Sequence, residues 1–328
     1  MNTAGTAPAP LDRAQLEAAV TAACRAPSIL NAQPWQFRAK GDVIDVFAVP
    51  ERSPSVLDPS GRETFLSLGA ALLNLRLAVS ALGRMPGMQF LPSPDDRTHA
   101  ARIRIGGPGA ISDLERPLYG AITTRRSSRA PFTDEHVPEE VFAHLQDAAA
   151  AEGGWLDPAT GLHRVAVLEV LHEADGLQRA DPVLVREIGR WTGQRDHPDV
   201  GIPPDSLGPR PRNPSATVRD LSLGAARDRP SAQFENSGLL AVLLTTGDTP
   251  ADWLRGGLAL ERVLLTASSM GLSCGILSHG TEVVSLRPLV RDPSSRWRFP
   301  QLVLRLGHGP DMPETPRLPL SDVFEFAG

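Results

Sequence analysis

Two segments of this chain read alike, and their likeness sets the strongest limit on what it can fold into. Gly69-Ala70-Ala71-Leu72 running to Leu82-Gly83 matches Gly257-Leu258-Ala259-Leu260 running to Met270-Gly271, and in both the outer glycines stand fourteen residues apart with Leu77 and Leu265 at the same step. The strands that follow match in the same order, Ile103-Arg104-Ile105-Gly106 against Leu304-Arg305-Leu306-Gly307. Two matches in one order read as an internal duplication, although two amphipathic helices also resemble each other through composition alone. We expect two tandem repeats, over residues 11–108 and 113–328, each built on one long helix and its strands.

Other elements follow from periodicity and punctuation. Asp12 is placed to cap a helix reaching about Ala26, with Leu16, Val20 and Ala23 on one face. Val43 to Val49 alternates and is β-branched, which predicts a strand. A long helix from about Arg62 to Gly83 and a strand at Arg102 to Ile105 complete the first series. The second series carries predicted helices at 113–123, 139–151, 169–191 and 252–271 and strands at 164–168, 239–245 and 301–306. Strands and helices alternate, and the helices are long enough to cover a sheet on both sides. From Trp191 to about Pro230 the chain is dense in proline and glycine, including Pro203, Pro204, Gly208, Pro209 and Pro211, which breaks helices and central strands. A segment of that length without regular structure reads either as a lid or as a surface loop.

The composition narrows the function classes. Of 328 residues, 41% are apolar and 22% charged, as in ordinary globular chains, so a sizeable core is available. A net charge of −5 supplies no field for nucleic acid or an anionic membrane face, and we expect neither as a partner. Lys40 is the only lysine, so abundant arginine is a bias of the whole chain and no single arginine is marked by its type. Cys24 and Cys274 lie far apart and outside any metal-ligand spacing, which predicts free, buried thiols and a cytoplasmic protein. Residues 1–10 lack the pattern of a secretory signal and read as a disordered tail, and no apolar run reaches the ~18 residues of a membrane helix. No metal-binding spacing, Walker sequence or dinucleotide fingerprint occurs; Gly106-Gly107-Pro108-Gly109 is a turn.

One ten-residue stretch concentrates chemistry: Ala26-Pro27-Ser28-Ile29-Leu30-Asn31-Ala32-Gln33-Pro34-Trp35. Pro27 ends the preceding helix, and Ser28, Asn31 and Gln33 offer the donors and acceptors that would read the edge of a flat heterocycle. By residue type alone it is equally a helix end leading into an edge strand. The pattern APSxxNxQPWxF nevertheless resembles the flavin-contacting signature of the nitroreductase family of FMN-dependent oxidoreductases. The run Arg125-Arg126-Ser127-Ser128-Arg129 is similar to that family's RxSxR turn, and the Asp58 to Glu63 and Arg190 to Gly193 runs look closest to its Acg-like branch.

The resemblance implies an α+β (α/β sandwich) fold, nitroreductase-like, with helices packed around mixed sheets. In the family two subunits share each FMN, one supplying the basic turn and the other the APSxxN segment. Here each motif occurs once, so the resemblance implies a fused pseudo-dimer with one flavin site per chain, either monomeric or assembled as a homodimer. Carried over, Arg125 and Ser127 would contact the FMN phosphate and ribityl chain, and Arg129 would stabilise the reduced flavin. Pro27, Ser28, Ile29, Asn31 and Gln33 would line the ring; Ile29 stands where many relatives have a second serine. Leu277, Ser278 and His279 fall in the loop that passes the flavin, with the Ser278 backbone aimed at N5. His279 reads as a general acid or as a residue merely tolerated in a glycine-rich turn. Arg317 matches the C-terminal phosphate contact, but Thr315 replaces the usual lysine, and Arg305 is a candidate to compensate. The function implied is ping-pong transfer from NADPH or NADH through FMN to a small molecule such as a nitroaromatic or quinone; the alternative is a protein that stores flavin beneath the 191–230 segment. No side chain is expected to act as catalyst, since the cofactor carries the chemistry.

Overall fold

The structure is a computed structural model and describes residues 10–192, 198–212, 218–222, 229–235, 238–295 and 297–327. The expected tail therefore lies outside the described residues except for Pro10, and so do parts of the 191–230 segment. Asp12 caps α1 (Arg13–Cys24) in a reciprocal pair with Gln15, and Leu16, Ala19, Val20 and Ala23 form its buried face. Strands β1 (Trp35–Lys40) and β2 (Val43–Ala48) form a hairpin; α2 (Arg62–Ala81), β3 (Arg84–Phe90) and β4 (His99–Pro108) follow. Buried and less buried residues alternate along β1 and β2, as expected of a sheet covered on one face.

The later elements are α3 (Arg116–Ala121), α4 (Glu139–Ala151), β5 (Trp155–Pro158), α5 (Gly161–Ala180), α6 (Pro182–Thr192), and the two-residue strands β6 (Arg210–Pro211) and β7 (Ser231–Ala232). Then come β8 (Leu239–Thr245), α7 (Pro250–Ser269), β9 (Ser273–Leu277), α8 (His279–Glu282), β10 (Phe299–Gly307), α9 (Leu320–Val323) and β11 (Phe324–Ala327). The first sheet runs β11-β1-β2-β4-β3 and the second β5-β8-β10-β9. With β5, β8, β9 and β10 set against β1, β2, β3 and β4, the two share one strand order, and every one of those pairings is antiparallel. β11 breaks the correspondence: it crosses from the end of the chain to pair in parallel with β1. In the second sheet β8 is buried almost throughout, because Ala241 and Leu243 face α4 and α7 while Leu240, Val242 and Leu244 face α5.

The long helices α2 and α7 cross at their glycines. A Cβ on Gly69 would stand 2.8 Å from the Gly257 Cα and closer still to the Leu254 carbonyl; a Cβ on Gly257 would stand 2.8 Å from the Gly69 Cα and closer still to the Leu66 carbonyl. Leu66 and Leu254 occupy matching places in the two repeated segments, so the contact is reciprocal, as at a two-fold interface. This geometry is compatible with the duplication read from the sequence.

Several elements differ from expectation. Residues 164–168 are helical: Val167, Val170, Leu171 and Ala174 form the buried stripe of α5, and the strand lies earlier, in β5. The expected 169–191 helix is two helices, divided at Asp181-Pro182, where proline cannot continue the first. The 113–123 helix shortens to α3, and β1, β3 and β9 had not been anticipated. Helix α2 is long and apolar enough to cross a membrane, contrary to expectation; it is mostly buried, and its apolarity is spent on the protein interior.

Candidate active site

The segment after α1 turns sharply. Leu30, Asn31 and Gln33 all hold left-handed backbone, at φ of 45°, 56° and 53°. For residues with a Cβ that conformation costs on the order of 1–2 kcal/mol each, so surrounding contacts must enforce it. They do: the Asn31 amide donates to the carbonyls of Gly201 and Pro316 and its oxygen accepts from Arg317, while Gln33 donates to the Asp199 carbonyl and accepts from the Leu318 N–H. These two amides tie α1's end to the proline-rich segment and to the C-terminal arm. Ser28 Oγ accepts from the Gln33 N–H, and the Ile29 N–H reaches Ser67 on α2.

A cavity opens beside this turn. Pro27, Ser28, Ile29 and Asn31 form one wall; Arg125, Ser127 and Arg129 form another; Leu277, Ser278, His279 and Arg317 close it. Eleven of the twelve expected positions thus converge on one space. Gln33 is the exception: it is fully buried outside the cavity wall, with its amide engaged as described, so it reads no ligand edge. The turn carrying Arg125 to Arg129 is held against β9 by the Ser128 N–H, which donates to the Cys274 carbonyl at 2.7 Å. Including its opening to solvent, the space amounts to about 1370 Å³.

One end is cationic. Arg25, Arg125, Arg126 and Arg317 gather there, faced by Glu314 and by Glu261 on α7. Burial, with Arg125 beside it, pushes Arg317 down to about 9. Arg317 nevertheless directs its N–H groups into the protein: Nε to the Cys24 carbonyl, Nη2 to those of Arg25 and Ala26, and Nη1 to Asn31 and Thr315. It caps the carbonyl end of α1. The buried Arg125 Nε has no hydrogen bond and stands 3.5 Å from Glu261 in an ion pair; the two Glu261 oxygens are likewise without a hydrogen bond among the described residues. Burial raises the Glu261 carboxyl to about 7 against the pull of Arg125. Arg305 does not reach this end. It is buried on β10, paired with Glu235 at 2.6 Å and stacked on Phe132, so the expectation that it compensates for Thr315 fails.

The other end holds a buried charge network. Glu282 accepts from Ser278 Oγ, Gln178 and Arg219 at 2.5, 2.6 and 2.7 Å. Burial opposes its ionisation, but Arg219 and these hydrogen bonds outweigh it and hold the carboxyl below its ordinary range. Glu63, on the cavity wall, is pushed up to about 8 by burial and by Glu282. Burial, with Arg219 adding to it, lowers His279 to about 4, so this histidine is neutral at pH 7 and carries no proton to give as an acid. Arg129 donates to the Ser206 carbonyl and is lowered to about 10 by burial and by Arg219. Between the ends the wall is apolar, with Leu66, Leu260, Ile276 and Leu302 on one side. Ile202, Ser206, Val218, Arg219 and Leu221 bring described parts of the 191–230 segment onto the cavity as well.

Glu63, Glu261, Glu282 and Arg219 had no assigned role from the sequence. Glu261 carried a readable signal, since it shares a helical stripe with Gly257 and Leu265 and so places an acid on a buried face. Arg219 lies in a segment without periodicity and gave none. Both cysteines are free and buried, as expected, with burial holding each thiol protonated at about 12.

Comparison with known proteins adds a lineage. The chain is 31% identical over 314 residues to "Putative NAD(P)H nitroreductase acg" of Mycobacterium tuberculosis, covering 94% of this chain and 95% of that protein. It is 32% identical over 324 residues to "Putative NAD(P)H nitroreductase Rv3131" of the same organism, covering 96% and 92%. No family model matches. Among solved structures, the FMN and NADPH-dependent nitroreductase NfnB of a Sphingopyxis strain superposes with a TM-score of 0.42 at 19% identity, covering 64% of this chain and 99% of that one. The NfnB of Mycobacterium smegmatis in complex with NADPH gives a TM-score of 0.42 at 18% identity, over 66% and 100%.

Proposed function

The chain belongs to the nitroreductase family, and from that premise we propose that it is an FMN-dependent NAD(P)H oxidoreductase acting on a small electron-poor acceptor such as a nitroaromatic or a quinone. The observation that carries this reading is the convergence of residues 27–31, 125–129, 277–279 and 317 on one cavity with a cationic end and apolar walls. The cofactor fits the donor set. Arg25, Arg125 and Arg126 crowd like charges together on the cavity wall, an arrangement that a phosphate dianion would relieve. Apolar side chains flank the space a planar ring system needs. Bound there, FMN would supply the two-electron chemistry.

The protein's own contribution is placement and electrostatics. Arg125 and Ser127 would hold the phosphate end, while Arg129, a half-buried cation, would stabilise negative charge at the ring's far edge. The Ser278 backbone would meet the ring edge, with its hydroxyl anchored on Glu282. Donor and acceptor would use the remaining space in turn. Each motif occurs once, so one flavin per chain is the stoichiometry of this reading, with the two repeats as a pseudo-dimer and the 191–230 segment as a lid. Buried reduced thiols suit a cytoplasmic setting.

A second reading is favoured by the lid contacts. Arg129 is bound to the Ser206 carbonyl and Arg219 to Glu282, so the segment is fastened at the ring end, as a flavin-storing protein requires. One experiment separates the readings: load the purified protein with FMN and follow flavin absorbance anaerobically on adding NADPH or NADH. Bleaching within seconds supports the oxidoreductase; stable colour with both nucleotides supports storage; a protein that takes up no FMN sinks both.

A further inference from the structure

Glu63 opens α2 at the cavity wall, and its position is built with care. Asp58 accepts from the Glu63 N–H at 3.1 Å and from the Thr64 N–H at 2.8 Å, locking the first turn. Arg62 Nη2 donates to Glu63 Oε1 at 2.9 Å. Arg62 is itself immobilised, donating to the Gln301 carbonyl at 2.6 Å and to the Thr281 carbonyl at 3.2 Å. Oε2 makes no hydrogen bond among the described residues, and the side chain lines the cavity although only 6% of the residue is exposed.

The charged groups around it come from three places. Asp58 and Arg62 belong to its own turn, Glu282 to α8, and Arg219 to the proline-rich segment. Glu282 is served by Ser278, Gln178 and Arg219, so in this pair of buried carboxyls it is the one equipped to stay ionised. Two such groups sharing a dry site do not both ionise readily. With Oε1 pinned by Arg62, the proton of Glu63 falls to Oε2, the oxygen that makes no hydrogen bond among the described residues of this cavity-lining side chain.

We propose that Glu63 holds a proton on Oε2 at neutral pH and delivers it to an oxygen of the electron acceptor as that acceptor is reduced. This rests on the oxidoreductase reading of the same cavity. For a quinone, two electrons and one hydrogen arrive as the hydride equivalent drawn from NAD(P)H. The Glu63 Oε2–H bond breaks, the proton bonds to the quinone oxygen, and the product is the hydroquinone. The Glu63 carboxylate then recovers a proton from solvent through the cavity mouth. Glu63 is on this account a catalytic residue, and the substrate class it selects is neutral acceptors whose oxygen accepts a hydrogen bond.

Two measurements test it. Infrared difference spectra of the wild-type protein against Glu63→Gln should show a protonated-carboxyl stretch at pH 7 that the variant lacks and that titrates away near pH 8. In the flavin-loaded protein reduced with dithionite, oxidation by a benzoquinone should slow by roughly 10²–10⁴-fold in Glu63→Gln, with part of the rate restored in Glu63→Asp. Absence of the infrared band at pH 7, or an unchanged quinone rate in Glu63→Gln, overturns the proposal. Dithionite bypasses the nicotinamide, so a failure of NADPH and NADH to bleach the flavin counts against the oxidoreductase reading alone. Protein that binds no flavin ends both.

Discussion

Arg125 and Arg317 meet at the Arg25 carbonyl, to which both donate at 3.1 Å, yet they do different work. Arg125 lines the cavity, and Arg125→Ala should weaken FMN binding roughly 10–100-fold, the loss of one or two charge-assisted hydrogen bonds. Arg317 is occupied with α1, so Arg317→Ala should lower the melting temperature of the apoprotein before any effect on the flavin is considered. Thermal melts and flavin titrations of both variants read out the contrast. Glu261 makes a second prediction. Its carboxyl, raised in the folded protein to about 7, favours the protonated form, so its stability contribution is full below the unfolded value and is lost as pH rises through about 7. Between about pH 5 and about pH 8 the wild type should lose on the order of 3 kcal/mol more than Glu261→Gln, measurable by urea unfolding at both values. At this scale the motifs were legible as neighbours in space: Ser28, Arg125 and Ser278 line one cavity. The sequence misled where a side chain serves the backbone. The amides of Asn31 and Gln33 look like ligand readers by type, but strained neighbouring backbone and two incoming segments consume them, and nothing local announces contacts to residues 199, 201, 316 and 318.

Helices α2 and α7 touch backbone to backbone at Gly69 and Gly257, which leaves no flexible side chain to yield. Gly69→Ala and Gly257→Ala should each destabilise by roughly 1–3 kcal/mol or more. The double variant should cost less than the sum, because the first methyl already spreads the helices and makes room for the second. Denaturant unfolding of the two single variants and the double variant completes the cycle. The same glycines are what made both helices recognisable in the sequence. Residues 164–168 show the opposite case: Val165 and Val167 are β-branched and alternate, and only the longer stripe through Val170, Leu171 and Ala174 reveals helical spacing. β9 was not anticipated, since its antiparallel pairing with β10 is a long-range contact that local composition does not encode.

The repeated segments predict a two-part plan for the whole molecule, and the shared strand order of the two sheets is compatible with it. What composition could not foretell is the exchange at the end of the chain, where β11 joins the sheet begun by β1. Removing residues 324–328 should leave β1 as a bare edge, lowering the melting temperature and promoting aggregation on light scattering. One flavin per chain is the expectation for titration against the intact protein.

Among the described residues, one polypeptide supplies cavity walls from Pro27 to Arg317. A site shared between separate subunits comes apart as protein becomes scarce, and its ligand leaves with the partner. On the proposed reading of one flavin site per chain no mass-action term enters, and flavin affinity should be the same at nanomolar and at micromolar protein. Such a chain can be made in very few copies per cell and still keep its site assembled.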